Sequence, residues 1–215
     1  MFRFLIAIFL SFIPVQLSAQ GTLVLVVDLS ISISEEHKQL QMDSYAKAMD
    51  WITPLENVNI EVVIFARNYH HISSGSRQNA ANAFRTEHRI DRSSTCLHRA
   101  LEYVELMYDT LPQPVIVDIS GDGEENCNRS EDTHKLLDRL EAKGAVVNTL
   151  MIPIDTSEMF EYMDPSRIQK KEIELRNYYQ SLIRGPGSFF MYIENFYDFE
   201  EAIIKKIIKE IALLK

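Results

Sequence analysis

A chain of 215 residues, 46% apolar and 25% charged, can bury one continuous core but leaves little room for two. Its formal charge of −9 argues against a nucleic-acid partner, because phosphates call for clustered Lys and Arg. The densest basic groups are the pairs Lys170-Lys171 and Lys205-Lys206, and both read as solvated helix faces.

The first residues stand apart. Arg3 precedes the apolar run Phe4 to Val15, and Leu17-Ser18-Ala19 closes it with a small residue suited to cleavage. Residues 1–19 are therefore expected to be a secretory signal peptide, and 20–215 a single domain. An uncleaved anchor is the other reading, but the run is shorter than the ~20 residues that cross a bilayer. Cleavage would leave 21 basic residues against 31 acidic ones, with a periplasmic or secreted chain and no stable membrane insertion.

Thr22 to Val27 is an uninterrupted apolar run, as expected of a strand covered on both faces, and it ends at Asp28. Ser34 with Glu35 and Glu36 marks a helix start, Met42, Tyr45, Ala46, Met49 and Ile52 recur at helical spacing, and Pro54 closes the helix. Trp51, at its end, is expected in the core. Asn59 to Ala66 reads as a second strand and His70 to Ser73 as a third, pairing as a hairpin. Helices follow over Ser76 to Glu87 and from near Thr95 to Leu111, then a strand over Pro114 to Ile119. Ser130 caps a helix to Lys143, Gly144 ends it, and Ala145 to Ile152 is strand-like. The remaining expectations are a helix over Ile168 to Leu182, a strand over Ser188 to Ile193, and a helix over Phe196 to Leu214. Phe199, Ile203, Ile207 and Ile211 form one apolar stripe on that last helix. Such alternation predicts an α/β fold with a doubly wound, mostly parallel sheet flanked by helices, and ligands at the carboxyl ends of its strands.

Oxygen-bearing side chains collect at those ends. Asp28-Leu29-Ser30-Ile31-Ser32 follows the first strand, Thr95 precedes a helix, and Ser120-Gly121-Asp122-Gly123 follows the Pro114 strand. In an extended turn, residues two apart face the same side, so Ser30 and Ser32 can point at a cation above Asp28. Gly121 and Gly123 let the chain bend where Asp122 must be presented. Two carboxylates and three hydroxyls fill part of the shell of about six oxygens that Mg²⁺ prefers, with Mn²⁺ or Ca²⁺ as alternatives. They leave room for one oxygen from outside, and so few carboxylates leave a divalent ion attractive to the Asp or Glu of a partner protein.

On those residues the chain resembles the von Willebrand factor A superfamily. Asp28, Ser30, Ser32, Thr95 and Asp122 match its metal-ion-dependent adhesion site residue by residue, over essentially the whole mature chain. Ser94 stands where many members carry Gly before the threonine. Val117-Asp118-Ile119-Ser120-Gly121-Asp122-Gly123, Tyr178-Tyr179, Gly185-Pro186-Gly187 and the helix Phe199 to Ala212 are similar to a bacterial, uncharacterised branch of that superfamily. The resemblance implies a Rossmann-like fold, an envelope location and an adhesion-type module, and brings no activity with it.

The other candidates carry less. Asp118, inside an apolar strand, is expected to be satisfied by backbone donors, or else to orient the Ser30 loop from behind. Glu124, Glu125 and Asn126, on the loop after Asp122, could touch partner or metal but read rather as solvated loop residues at the rim, to which Asp155 to Arg184 could also contribute. Cys96 and Cys127 allow one bridge or two buried thiols, and no CxxC spacing suggests zinc. His70 and His71 point to opposite strand faces and cannot chelate together. Gly185-Pro186-Gly187 lacks the lysine of a phosphate loop and reads as a turn. Asp28 could be a phosphatase nucleophile, but Ser30 stands where a second acid would be wanted, and no G-x-S-x-G elbow is present. A metal-independent envelope scaffold remains the alternative to the cation-dependent binding module.

Overall fold

The computed structural model describes residues 20–127, 130–153 and 164–214. The expected leader lies outside them, as does part of the segment placed at the rim.

Six strands form one sheet in the order β3-β2-β1-β4-β5-β6. They are β1 (Thr22–Asp28), β2 (Asn59–Phe65), β3 (Tyr69–Ser73), β4 (Val115–Gly121), β5 (Val146–Met151) and β6 (Phe190–Tyr192). Only the β2–β3 hairpin is antiparallel. β1 and β4 are buried at every position, which is why their sequences show an apolar run with no alternation.

Six helices cover the sheet: α1 (Glu35–Trp51), α2 (Arg77–Phe84), α3 (Leu97–Met107), α4 (Ser130–Ala142), α5 (Pro165–Ser181) and α6 (Phe199–Leu213). One apolar cluster joins α1, α2 and α6 to Leu23, Leu25, Val27 and Ile116. The other joins α3, α4 and α5 to Val24, Val26, Val117 and Ile119. Successive residues of β1 and β4 thus feed opposite cores, as strand pleating requires.

Helix starts follow their caps. Ser34 accepts from the His37 amide at 3.3 Å and Ser76 from that of Asn79 at 3.2 Å. α5 begins three residues before the expected Ile168, because Asp164 caps it and Pro165 supplies the first-turn φ. α2 stops at Phe84 rather than Glu87, where the His88 ring takes the Ala83 carbonyl at 2.7 Å. The last expected helix divides into a 3₁₀ turn, Phe196–Asp198, and α6.

Three burial expectations are corrected. Trp51 is 65% exposed, because it ends α1 beyond the last turn packed on the sheet. Lys206 is fully buried instead of solvated, since it lies one residue from Ile207 on the inward face of α6. Asp118, also fully buried, meets the Lys206 ammonium and neither backbone donors nor the Ser30 loop.

At the hairpin, Glu61 accepts from His71 Nε2 at 2.7 Å, Asn59 at 2.9 Å and Ser74 at 2.9 Å. Burial works against the Glu61 carboxylate, but these hydrogen bonds outweigh it and hold its pKa below the ordinary value. The same contact raises His71. A lowered acid contributes stability that is lost as pH falls through its folded pKa, and a raised base contributes stability that is lost as pH rises through its own. The pair should therefore stabilise most between the ordinary Glu value of 4.5 and the ordinary His value of 6.5. Thermal unfolding of wild type and Glu61→Gln across pH should differ most in that window and converge on both sides.

Candidate functional site

The order β2-β1-β4 marks the point where the connections change direction, so a crevice opens beyond the ends of β1 and β4. Asp28 is the last residue of β1, and Asp122 follows the last residue of β4. The five candidate ligands meet here. The Ser30 amide donates to Asp28 Oδ1 at 2.8 Å, the Ser30 and Ser32 hydroxyls lie 3.0 Å apart, and Ser32 donates to Asp122 Oδ1 at 2.6 Å. The space beside Gly123 locates Thr95: a Cβ there would stand 3.0 Å from Thr95 Oγ1 and 3.6 Å from Ser32 Oγ. Ser94 in place of glycine therefore does not displace the Thr95 hydroxyl from the group.

Asp28 Oδ2 is buried and has no hydrogen-bond partner among the described residues. Burial first, and the neighbouring Asp122 second, push the Asp28 carboxyl up to about 8. Gly121 is required by closeness: a Cβ would come within 2.7 Å of Asp28 Oδ2 and collide with the Tyr179 hydroxyl.

Arg92, Glu125, Tyr178 and Tyr179 hold the site in shape; sequence reasoning missed Arg92 altogether and left the other three at the rim. Arg92 donates from Nε to the Leu29 carbonyl at 2.8 Å and from its guanidinium to those of Ser30, at 3.0 Å, and Ile33; it also pairs with Glu35. One planar fork thus fixes the whole D-x-S-x-S turn. No local pattern announces it, because its partners are backbone carbonyls 59 to 63 residues away. Glu125, expected to be solvated, has a fully buried side chain. It accepts from the His98 amide at 2.9 Å and the Cys127 amide at 3.0 Å, capping α3, whose own N-cap residue Cys96 makes no side-chain bond. Tyr179, buried in α5, donates to the Gly123 carbonyl at 3.2 Å, and the Tyr178 hydroxyl accepts from the Glu125 amide at 3.2 Å. The Tyr178-Tyr179 pair was legible as a motif, but its reach to the Asp122 loop was not.

Asn126 accepts from the Thr95 amide at 2.8 Å and returns its own amide to the Thr95 carbonyl at 3.0 Å. Beside it, Cys96 and Cys127 form a disulfide across 31 residues, their Cα atoms 5.4 Å apart. Cys96, Cys127 and Glu125 converge closely enough to suggest metal ligation, but both sulfurs are spent on the bridge. Ser120 turns away, accepting from Tyr45 at 2.9 Å under α1. Glu124 is exposed and lines a cavity of about 480 Å³ together with Ser32, Thr95, Asp122, Arg167 and Lys170. α5 thus lines the mouth with Arg167, Lys170 and Lys171 and with Glu174, 3.7 Å from Lys170, above an acidic floor.

A family model described as "Protein of unknown function (DUF1194)" matches residues 18–215. No curated protein matches the chain. Among solved structures, proximal thread matrix protein 1 from the mussel byssus, with a zinc-occupied MIDAS motif, aligns with a TM-score of 0.65 at 15% identity over 90% of this chain and 46% of that one. A von Willebrand factor type A protein from Catenulispora acidiphila aligns at 0.62 and 16% over 87% and 42%. The pilus adhesin SpaC of Lactobacillus rhamnosus GG aligns at 0.62 and 13% over 88% and 30%. The chain spans less than half the length of each of these structures, and the likeness is one of fold.

Two losses of stability follow from the loop anchors. Arg92→Ala leaves several loop carbonyls without their donor and should lower unfolding free energy by about 1.5–3 kcal/mol in urea titration. Cys96→Ser with Cys127→Ser should cost about 3–4 kcal/mol by chain entropy, read the same way.

Proposed function

The chain belongs to the DUF1194 family and has the von Willebrand factor A fold, and from that premise we propose that it is a cation-dependent protein-binding module of adhesion type. The observation that carries the reading is the buried, unpartnered Asp28 Oδ2 beside a second carboxylate and three hydroxyls. Such a donor set is hard oxygen throughout, which suits Mg²⁺ best and Mn²⁺ or Ca²⁺ next. Asp28 and Asp122 would hold the ion, with Ser30, Ser32 and Thr95 completing the protein's share. A doubly charged ion would offset the burial that chiefly raises Asp28 and the repulsion from Asp122 that adds to it. Bound there, it supplies an open coordination position for one oxygen of a partner.

The partner is an acidic segment. One Asp or Glu carboxylate would reach the ion, while Arg167 and Lys170 at the cavity mouth attract further negative charge. Three cations against Glu124 and Glu174 leave that rim slightly positive on a chain of net charge −9. Among the fold relatives, one has a zinc-occupied MIDAS and another is a pilus adhesin, which agrees with cation and adhesion roles for those proteins. Binding without turnover is the simpler reading, since Ser30 occupies the place where phosphoryl transfer would want a second acid.

Export fits the same picture. The disulfide belongs to an oxidising compartment, and no described helix is long and apolar enough to cross a membrane. Cleavage of residues 1–19 would release the domain to the periplasm or beyond.

Calorimetry with Mg²⁺, Mn²⁺ and Ca²⁺ tests the proposal. Wild type should bind one ion, Asp28→Ala should abolish binding, and His70→Ala should leave it unchanged. Equal affinity in wild type and Asp28→Ala would favour a scaffold that does not use the cation. Capture of an acidic peptide should require the ion, fail with chelator, and weaken several-fold in Lys170→Glu as well as in rising salt.

A further inference from the structure

On the other face of β4 lies a group of ionisable side chains that the cation reading does not use. Asp118, Lys206 and Glu210 are each fully buried. Lys206 Nζ is in direct contact with Asp118 Oδ1 and stands 2.8 Å from Glu210 Oε1. Asn148 holds Glu210 in place, donating to the same Oε1 at 3.1 Å while accepting from the Phe189 amide at 3.0 Å. The surroundings are apolar: Leu25 is the register partner of Asp118 on β1, and the Phe189 ring centre is 5.9 Å from Lys206 Nζ.

Fully ionised, this trio would leave one uncompensated negative charge in a dry core, which is costly. A single proton shared between the two carboxyls removes that charge. It would also satisfy Asp118 Oδ2 and Glu210 Oε2, which otherwise have no donor. Burial above all raises both acids, Glu210 to about 7. An amine, a carboxyl carbon and a proton-carrying acid are thus fixed together away from water. Reacting groups held this way can have effective concentrations of about 10⁵ M or more, and a neutral carboxylic acid is a competent proton carrier.

We propose that Lys206 and Asp118 condense into an intramolecular amide cross-link, with Glu210 transferring the protons. The Lys206 ammonium first gives a proton to the carboxyl pair. Its nitrogen lone pair then forms a bond to Asp118 Cγ, and the C=O π pair moves to oxygen, which takes the Glu210 proton. Glu210 next accepts a proton from nitrogen and delivers it to a departing hydroxyl, which leaves as water, and then takes the proton of the remaining hydroxyl as the amide C=O re-forms. One ammonium and one carboxylate become one secondary amide and one water, with no oxidant or reductant. Two buried charges disappear. The two carboxylates outweigh burial and favour the ammonium form of Lys206, so the reaction is a slow maturation step after folding. Its product ties β4, which leads directly into Asp122, to the last helix of the chain.

This inference does not rest on the cation reading, and the mass of the wild-type chain decides it. Purified full chain, with its N-terminus mapped, is unfolded, thiol-reduced and weighed intact. The expected mass is lower than the sequence by one water, and digestion should yield a branched peptide joining Asp118 to Lys206. Lys206→Arg and Glu210→Gln should each show the full sequence mass. An unmodified wild-type mass, both fresh and after prolonged folded incubation, overturns the proposal, as does a water loss that maps elsewhere. Water loss in Glu210→Gln at the wild-type rate overturns the role given to Glu210. The wild-type measurement needs no variant to fold.

Discussion

Two carboxylates held at the ends of adjacent strands, where burial removes most of the water that would screen them, set the terms for the rest of this structure. Asp28 ends β1 and Asp122 follows β4, and each raises the cost of charge on the other. A chain left to itself would move such groups apart. Here the turn after β1 is clamped by Arg92, and the turn after β4 is fixed by Tyr178, Tyr179 and Glu125, with Gly121 permitting the approach. The stability invested in these anchors maintains an arrangement that is unfavourable without a positive charge in it, as expected of a site organised in advance for a ligand.

The sheet divides labour between its two faces. β4 places Val117 and Ile119 against α3 and α4, and turns Asp118 and Ser120 toward α1 and α6. On β4 itself, Ser120 is paired with Tyr45, and Asp118 is gathered in one closed cluster with Lys206 and Glu210. Such clusters hold particular elements together more selectively than apolar packing does, because an alternative alignment would strand a charge. β4 is thereby fastened from below by α6 while presenting Asp122 at its end.

Most of the fold was legible in the sequence because parallel βαβ units leave strong marks. Uninterrupted apolar strands, Ser caps and Gly144 after α4 each have one local cause, and the alternation of strand and helix implied a mostly parallel, doubly wound sheet, though not the order of its strands. The ligand candidates were legible for the same reason, since each sits within a few residues of a strand or helix end. What escaped was held by distance. Arg92 acts on carbonyls far along the chain, Glu125 caps a helix to which it does not belong, and Lys206 looked like half of a surface pair until α6 was docked. Composition assigns charged residues to water by default, and only tertiary contacts reveal the exceptions.

Ile31 lies between the two site serines and is 66% exposed at the mouth of the cavity. Leu29, two residues earlier, is fully buried, so the turn sends one apolar side chain inward and offers the next to solvent. A surface that covers this mouth must also cover Ile31 and displace the water around it. Loss of that water lowers the local dielectric and strengthens every attraction between opposite charges beneath. Under the function proposed above, a greasy residue at the lip would make the ionic floor more effective once it is lidded, and would favour visitors that bring an apolar neighbour beside their acid.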